Sequence, residues 1–221
     1  MNQKLLSFAL EKAKKYLSKS KGSHDIDHTL RVLNIAKHLA KKENADLDVV
    51  MVAALLHDIS RPVQAASKGK ICHAEHGSLV AKKLLEKNSK KLNLSQNKID
   101  SIAECISTHR FRGNNYPKTL EAKILFDADK LDSIGAIGVG RVFLFAGEIG
   151  AKLHNDPETR KNIHLTKNHS VEDTAYREFA LKLYKIKDKL YTKEGKRIAK
   201  ERHEFMEEFF ERLNKETEGE I

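Results

Sequence analysis

Eight consecutive apolar residues, at positions 49–56, constrain the fold more than any other feature of this chain. A run without a polar position is buried on all sides, so it belongs inside a hydrophobic core. The run ends at His57-Asp58, which places an imidazole and a carboxylate at the edge of that core. A neighbouring histidine and aspartate could hold a metal ion between them, although two residues form a site only with partners.

The rest of the chain has helical periodicity and no useful strand-like alternation, so we predict an all-α fold. Its three prolines, Pro62, Pro117 and Pro157, each fall where a periodic stretch has stopped. Irregular segments are expected at 60–71, 89–93, 110–117 and 153–170, the last as a flap or insertion. The predicted helices cover about 3–18, 26–39, 48–57, 73–88, 95–108, 119–131, a stretch from Gly135, 172–190 and 193–216.

Composition indicates a soluble globular protein, because 40% of the 221 residues are hydrophobic and 33% are charged. This length suits one large domain, or one domain with an elaborated second lobe. The net charge of +10 favours anionic partners. The lysine-rich stretches lack interleaved aromatic residues, so nucleic acid is a less favoured partner than a small phosphate compound.

Cysteine usage and hydropathy predict a cytoplasmic location. Cys72 and Cys105 are too few and too isolated for a zinc ribbon or a disulfide framework, which suggests a reducing compartment. The first 17 residues are amphipathic and interrupted by charge, unlike a secretory signal. No stretch approaches the ~20 apolar residues that span a bilayer, so we expect no membrane partner.

Four residues near predicted helix ends are candidate metal ligands: His28, His57, Asp58 and Asp129. Two imidazoles and two carboxylates suit Mn²⁺, Fe²⁺, Co²⁺, Ni²⁺ or Zn²⁺, with Mg²⁺ less favoured by the imidazoles. Four protein ligands on an octahedral ion leave two positions, for water and a substrate oxygen. This arrangement predicts a hydrolytic site.

Five strings in order carry a resemblance to a known family: SHDIDHTLRV, ALLHDISRP, HAEHGS, STHRFRG and FDADKLDSIGAIGVGR. Together they resemble the HD superfamily of metal-dependent phosphohydrolases, and the DADKLD core resembles its YedJ/YpgQ-like branch. The resemblance covers about residues 20–215. It implies one HD-type helical domain over 1–221, a helical bundle with additional C-terminal helices. The metal-binding core would span about 20–145 and the C-terminal helices about 171–218.

The resemblance implies that His28, His57, Asp58 and Asp129 are the metal ligands. Asp129 is preferred to Asp127 because Ala128-Asp129-Lys130 matches the superfamily's Ala-Asp-basic string. His73 and His109 occupy positions that bind a second metal in some branches, where Asp58 would bridge both ions. The alternative, which this branch favours, is one ion, with these histidines binding phosphate or transferring a proton. Manganese is the favoured metal.

Basic residues near these positions are candidates for holding substrate phosphate. Arg110 and Lys130 are foremost because each adjoins a candidate site residue, and His76, one turn after His73, could line the pocket. The sequence Gly135-x-x-Gly138-x-Gly140 indicates close helix packing rather than a nucleotide-binding loop. The remaining basic candidates are Arg61, Lys68, Lys70, Arg112 and Arg141.

The expected function is a metal-dependent phosphohydrolase acting on nucleotides or other small phosphate esters or anhydrides. Asp58, His73 and His109 are its candidate catalytic residues, and the YpgQ-like resemblance points to pyrophosphate release from nucleoside triphosphates. Hydrolysis of guanosine tetraphosphate is not expected, because the Glu-Asp pair of that branch is missing after Asp58. The alternatives are a phosphodiesterase or nuclease with the same centre, or a non-catalytic HD protein that binds nucleic acid or nucleotides.

Overall fold

The structure is a computed structural model that describes residues 2–18, 25–110 and 115–221. Arg112, one of the candidate phosphate-binding residues, lies outside these residues. The described chain contains helices and no strand, which confirms the all-α prediction. Its helices are α1 (Gln3–Leu17), α2 (Ile26–Glu43), α3 (Leu47–Leu56), α4 (Arg61–Ala66), α5 (His73–Leu92), α6 (Gln96–Thr108), α7 (Leu120–Leu131), α8 (Gly135–Glu148), α9 (Pro157–Lys161), α10 (Ala175–Leu181) and α11 (Lys193–Glu218).

Helix α3 forms the centre of the core, as its continuous apolar run predicts. All eight residues at 49–56 are buried, and α3 packs against α1, α2 and α6. Asp46 caps its start by accepting the backbone N–H groups of Asp48 and Val49 at 2.9 and 3.2 Å. The helix therefore starts at a defined point and delivers His57-Asp58 to the edge of the core.

Several helix boundaries differ from the prediction. The polar segment 60–71 contains α4, whose first turn accommodates Pro62. Helix α5 continues through the expected break at 89–93, since Leu92 is buried on the same face as Leu85, seven residues earlier. The predicted helix at 172–190 is instead the short α10 followed by two 3₁₀ turns.

The chain divides into two compact units, Met1–Lys130 with Tyr191–Gly195 and Leu131–Leu190 with Lys196–Ile221. The first holds α1–α7 and the start of α11. It also contains all four candidate metal ligands. The prediction of a single domain stays a prediction.

In the second unit, glycines at the start of α8 allow close packing. A Cβ on Gly135, whose φ is +77°, would lie 2.8 Å from the Arg202 side chain, and one on Gly138 would lie 2.5 Å from the carbonyl oxygen of Ser133. Gly140 meets no atom within 4 Å, so the packing interpretation holds for two of the three glycines.

The segment 153–170, predicted to be a flap or insertion, contains α9 and a 3₁₀ turn at Ile163–Leu165. The buried Arg177 side chain donates to the hydroxyl and carbonyl oxygens of Thr166, at 2.6 and 2.8 Å, and to Asn168 at 2.9 Å. These bonds fix the second half of the segment. Among the described residues, no helix is long and apolar enough to cross a membrane.

Candidate metal centre

Two buried histidines at helix ends face each other in the first unit. His28 lies in the first turn of α2, where the side chain of Asp25 accepts its backbone N–H at 3.0 Å. His57 follows α3, and its Nδ1–H donates to the carbonyl oxygen of Ala54 at 2.7 Å. Because a carbonyl oxygen can only accept, Nε2 of the neutral His57 ring carries a lone pair. That Nε2 lies 3.4 Å from Nε2 of His28.

Two carboxylates adjoin this histidine pair. Oδ2 of Asp58 lies 3.5 Å from Nε2 of His57 and 3.7 Å from Nε2 of His28. One ligand atom from each of these three residues lies within 4.8 Å of the others. Asp129 joins through its Oδ1, 3.5 Å from Nε2 of His28, while its Oδ2 pairs with the ammonium group of Lys130. The structure therefore brings all four candidate ligands together.

A second histidine pair faces the other oxygen of Asp58. Oδ1 lies 3.4 Å from Nε2 of His73, the first residue of α5, and 3.6 Å from Nε2 of His109, which follows α6. Ligand atoms of these three residues also lie within 4.8 Å of one another. Asp58 thus stands between two clusters, both able to hold a cation.

The hydrogen bonds of the second pair direct lone pairs toward each other. Nδ1 of His109 donates to the carbonyl oxygen of Ile106 at 2.6 Å, and Nδ1 of His73 donates to Oε1 of Gln64. Their Nε2 atoms lie 3.2 Å apart. Burial lowers the pKa of His73 to about 2 and, despite the neighbouring carboxylate, the pKa of His57 to about 4. The imidazoles of His57 and His73 are therefore neutral at pH 7.

This donor set fits a divalent transition-metal ion. Neutral imidazole nitrogens and carboxylate oxygens are its preferred ligands, and a cation relieves the repulsion between facing lone pairs. Burial would raise the pKa of Asp129, but Lys130 and the hydrogen bond with His28 hold that pKa well below its usual range. Asp129 therefore presents a charged carboxylate to the centre.

Two of the expected phosphate-binding cations contact the centre. Nε of Arg61 donates to Oδ1 of Asp58 at 2.9 Å, and about a quarter of the Arg61 side chain is exposed. Lys130 pairs with Asp129 and places its Nζ 5.2 Å from the centre of the Phe126 ring. Both cations are therefore anchored by the carboxylates that adjoin the histidines.

Two further candidates contact neighbours of the centre. Nη1 of Arg110 donates to Sγ of Cys72 at 3.4 Å, and Cys72 directly precedes His73. Nδ1 of His76 shares a hydrogen bond of 2.9 Å with the hydroxyl of Ser60. These contacts hold both side chains in the first unit, beside residues that lie close in sequence to His73 and Asp58.

Arg141 lies in the second unit. Its Nη1 donates to the carboxylate of Asp132 at 2.9 Å and to the carbonyl oxygen of the same residue at 3.1 Å. The last carboxylate of the DADKLD string thus binds this arginine.

Asp127, the alternative to Asp129, faces the start of α11. Its buried carboxylate accepts the backbone N–H groups of Tyr191 and Thr192 at 2.9 and 2.7 Å, and the hydroxyl of Thr192 at 2.6 Å. A Cβ on Gly195 would lie 2.6 Å from Oδ2 of Asp127. The sequence analysis did not predict this contact. Its one signal in the sequence is Gly195, a glycine in the first turn of the helix predicted at 193–216.

Comparisons with known proteins identify the family and the fold. The HD domain family profile matches residues 25–134. The chain is 32% identical to the uncharacterized protein YpgQ of Bacillus subtilis over 208 residues, which cover 92% of this chain and 89% of YpgQ. The chain therefore belongs to the HD domain family, whose members bind divalent metals.

Solved structures extend the similarity over almost the whole chain. The crystal structure of Bacillus subtilis YpgQ in complex with ADP has a TM-score of 0.71 and 27% identity, covering 97% of this chain and 96% of YpgQ. A predicted HD superfamily hydrolase from an uncultured Thermotogales bacterium has a TM-score of 0.66 and 29% identity, covering 96% of this chain and 92% of that protein. The HD-type helical fold expected from the sequence is thus confirmed.

Proposed function

We propose that this chain is a metal-dependent phosphohydrolase that releases pyrophosphate from nucleoside triphosphates. The placement of buried Asp58 between two histidine pairs carries the proposal, because such a carboxylate can serve both a cation and an attacking water. Solved relatives that include an HD superfamily hydrolase and an ADP complex support a phosphate compound as the substrate.

His28, His57, Asp58 and Asp129 would hold the ion. Bound there, a divalent metal supplies Lewis acidity toward a phosphate oxygen and lowers the pKa of water. The mixed nitrogen and oxygen donors suit several divalent transition metals, and Mn²⁺ is the one we propose among them.

We propose one resident ion because Arg61 occupies the side of Asp58 that a second ion would need. A second ion between His73 and His109 would share Oδ1 of Asp58. That oxygen already accepts the Arg61 Nε–H at 2.9 Å, and the guanidinium group supplies a fixed positive charge. His109, whose Nε2 lies 3.6 Å from the same oxygen, then remains available as a proton acceptor.

The side chains around the ion would orient the water, accept its proton and stabilise the substrate's charge. Asp58 orients the attacking water by accepting its hydrogen bond, since a carboxylate has lone pairs beyond those used by Arg61. Nε2 of His109 accepts the proton released as the water oxygen attacks the α-phosphorus, and the bond from this phosphorus to the bridging oxygen of the departing pyrophosphate breaks. Lys130 and Arg110 stabilise the charge that develops on the phosphate oxygens.

A substrate panel tests this function. Purified protein is incubated with Mn²⁺ and nucleoside triphosphates, nucleoside diphosphates, simple phosphomonoesters or bis-ester substrates, and products are resolved by ³¹P NMR. We expect nucleoside monophosphate and pyrophosphate from the triphosphates. His57→Ala and Asp58→Ala should lower the rate by at least about a hundredfold, because each removes a proposed ligand.

Matched variants separate the site from the rest of the chain. His164→Ala and Asp188→Ala remove the same groups from exposed positions and should leave the rate unchanged. If the wild type shows no metal-dependent turnover above His57→Ala, the enzyme proposal fails. Cleavage of bis-ester substrates in preference to triphosphates would instead establish a phosphodiesterase.

A further inference from the structure

A chain of contacts leads from the metal centre to an exposed aromatic side chain. Lys130, which pairs with Asp129, lies over the ring of the buried Phe126, with its Nζ 5.2 Å from the ring centre. The ring of Tyr191 packs edge-on against Phe126, with 5.2 Å between centroids and 78° between planes. Tyr191 is 36% exposed, so the ring that is linked to Lys130 through Phe126 is both anchored and open to solvent.

The backbone of Tyr191 is also held in place. Its N–H donates to both carboxylate oxygens of Asp127, at 2.9 and 3.2 Å, and the next N–H, of Thr192, donates to Oδ2 at 2.7 Å. A ring fixed at its backbone and along its edge loses little conformational entropy when a planar ligand stacks on it.

A second tyrosine lies nearby. Tyr116 is 64% exposed, although aromatic side chains of this size usually bury most of their surface. Burial, the carboxylate of Asp127 and the neighbouring Tyr116 together raise the pKa of Tyr191. Tyr191 and Tyr116 are therefore both exposed in the first unit, and Tyr191 is linked through Phe126 to Lys130, the cation that pairs with Asp129.

We infer that Tyr191, assisted by Tyr116, stacks on the nucleobase of a nucleotide whose phosphates lie at Lys130 and the metal centre. The inference rests on the proposed phosphohydrolase function and adds the residues that select base-bearing substrates. Stacking uses the π-face that every base presents, so these residues favour nucleotides over inorganic polyphosphate and discriminate little among bases.

Substrates with and without a base test the inference. Steady-state kinetics with Mn²⁺ compare ATP with inorganic tripolyphosphate for the wild type, Tyr191→Leu and Tyr116→Ala. We expect Tyr191→Leu to raise KM for ATP about tenfold and Tyr116→Ala to raise it less, with KM for tripolyphosphate unchanged. Tyr191→Phe keeps the aromatic ring, so its KM for ATP should equal that of the wild type. Tyr16→Leu, at an exposed tyrosine on α1, is the matched control.

Equilibrium binding separates this inference from the proposed activity. Calorimetry with ADP and with pyrophosphate is applied to the same variants, whose melting temperatures check folding. Weaker ADP binding by Tyr191→Leu, with pyrophosphate binding unchanged, supports stacking even if no substrate turns over. ADP binding that is absent from the wild type, or equal in the wild type and Tyr191→Leu, overturns the inference. In the latter case, metal-dependent hydrolysis can still stand.

Discussion

Replacing Asp127 and Asp129 in turn by asparagine distinguishes the roles of the first two aspartates of the DADKLD string. The structure directs Asp127 to the start of α11 and Asp129 to the histidines. Asp127→Asn should therefore destabilise the protein without weakening metal binding. Asp129→Asn should weaken metal binding, because it removes a charged ligand.

The contacts of Asp127 give the size of the effect. Its carboxylate accepts three donors, the N–H groups of Tyr191 and Thr192 and the Thr192 hydroxyl, at 2.6 to 2.9 Å. A hydrogen bond to a charged group contributes about 1.5–3 kcal/mol. Asparagine keeps one accepting oxygen but turns an NH₂ group toward a buried donor, so one bond is lost and the others weaken. We expect the free energy of unfolding to fall by about 3 kcal/mol.

Urea unfolding in the presence of a chelator measures that free energy in the metal-free state, and calorimetric titration measures the affinity for Mn²⁺. Asp127→Asn should bind Mn²⁺ like the wild type once folded. Asp129→Asn should lose about a hundredfold in affinity or more. The reasoning is refuted if Asp127→Asn keeps the wild-type stability and loses Mn²⁺ affinity as Asp129→Asn does, because Asp127 would then be the ligand.

Three further predictions follow from other contacts. Gly195→Ala should lower the free energy of unfolding by about 1–3 kcal/mol, since its Cβ would lie 2.6 Å from Oδ2 of Asp127; urea unfolding measures this. Burial lowers the pKa of His57 to about 4. In the metal-free protein, the contribution of neutral His57 to the free energy of unfolding is therefore complete above pH 6.5 and is lost as the pH falls to about 4, a decrease of about 3 kcal/mol. Thermal melts across this pH range measure the decrease. Arg61→Ala should raise the calorimetric Mn²⁺ stoichiometry from one to two, because it uncovers Oδ1 of Asp58.

Each of these predictions has a contrary result, and the two substitutions also have matched controls. Gly147→Ala, where a Cβ meets no atom within 4 Å, should not destabilise, and equal losses at both glycines would contradict the steric argument. A pH profile that is flat between 4 and 6.5 would contradict the buried neutral His57. Arg212→Ala, at an exposed arginine of α11, should leave the stoichiometry at one. A stoichiometry of one for Arg61→Ala as well would show that Arg61 does not exclude a second ion.

The sequence predicts the core better than the helix ends. Eight apolar residues in succession can only be buried, and α3 follows directly from them. The end of α5 is less predictable because its last turn is mostly polar, and the burial of Leu92 against the rest of the unit becomes visible only in the structure. Short helices such as α4 depend on tertiary contacts that have no periodic signal.

In the candidate site, too, the features with a local sequence pattern are predicted and the long-range contacts are not. His28, His57, Asp58 and Asp129 are found from the sequence because each lies near the end of a helix with a clear apolar pattern. The partners of Asp127 could not be found this way, since Tyr191 lies 64 residues further along the chain. A single aspartate gives no local indication of which distant N–H groups it will accept.

We propose that Arg61, a cation that local sequence spacing makes available, limits the centre to one metal ion. Arg61 follows Asp58 by three residues, which brings its Nε to Oδ1 at 2.9 Å. His73 and His109 reach the same oxygen from two other helices, at 3.4 and 3.6 Å. Oδ1 of Asp58 can therefore accept a hydrogen bond from the guanidinium group or bind a second ion, but not both. Arg61 is held by Asp58 and is still a quarter exposed, so its fixed charge lies where a substrate phosphate can reach it. A one-ion centre with an anchored cation beside it is the arrangement that these contacts favour.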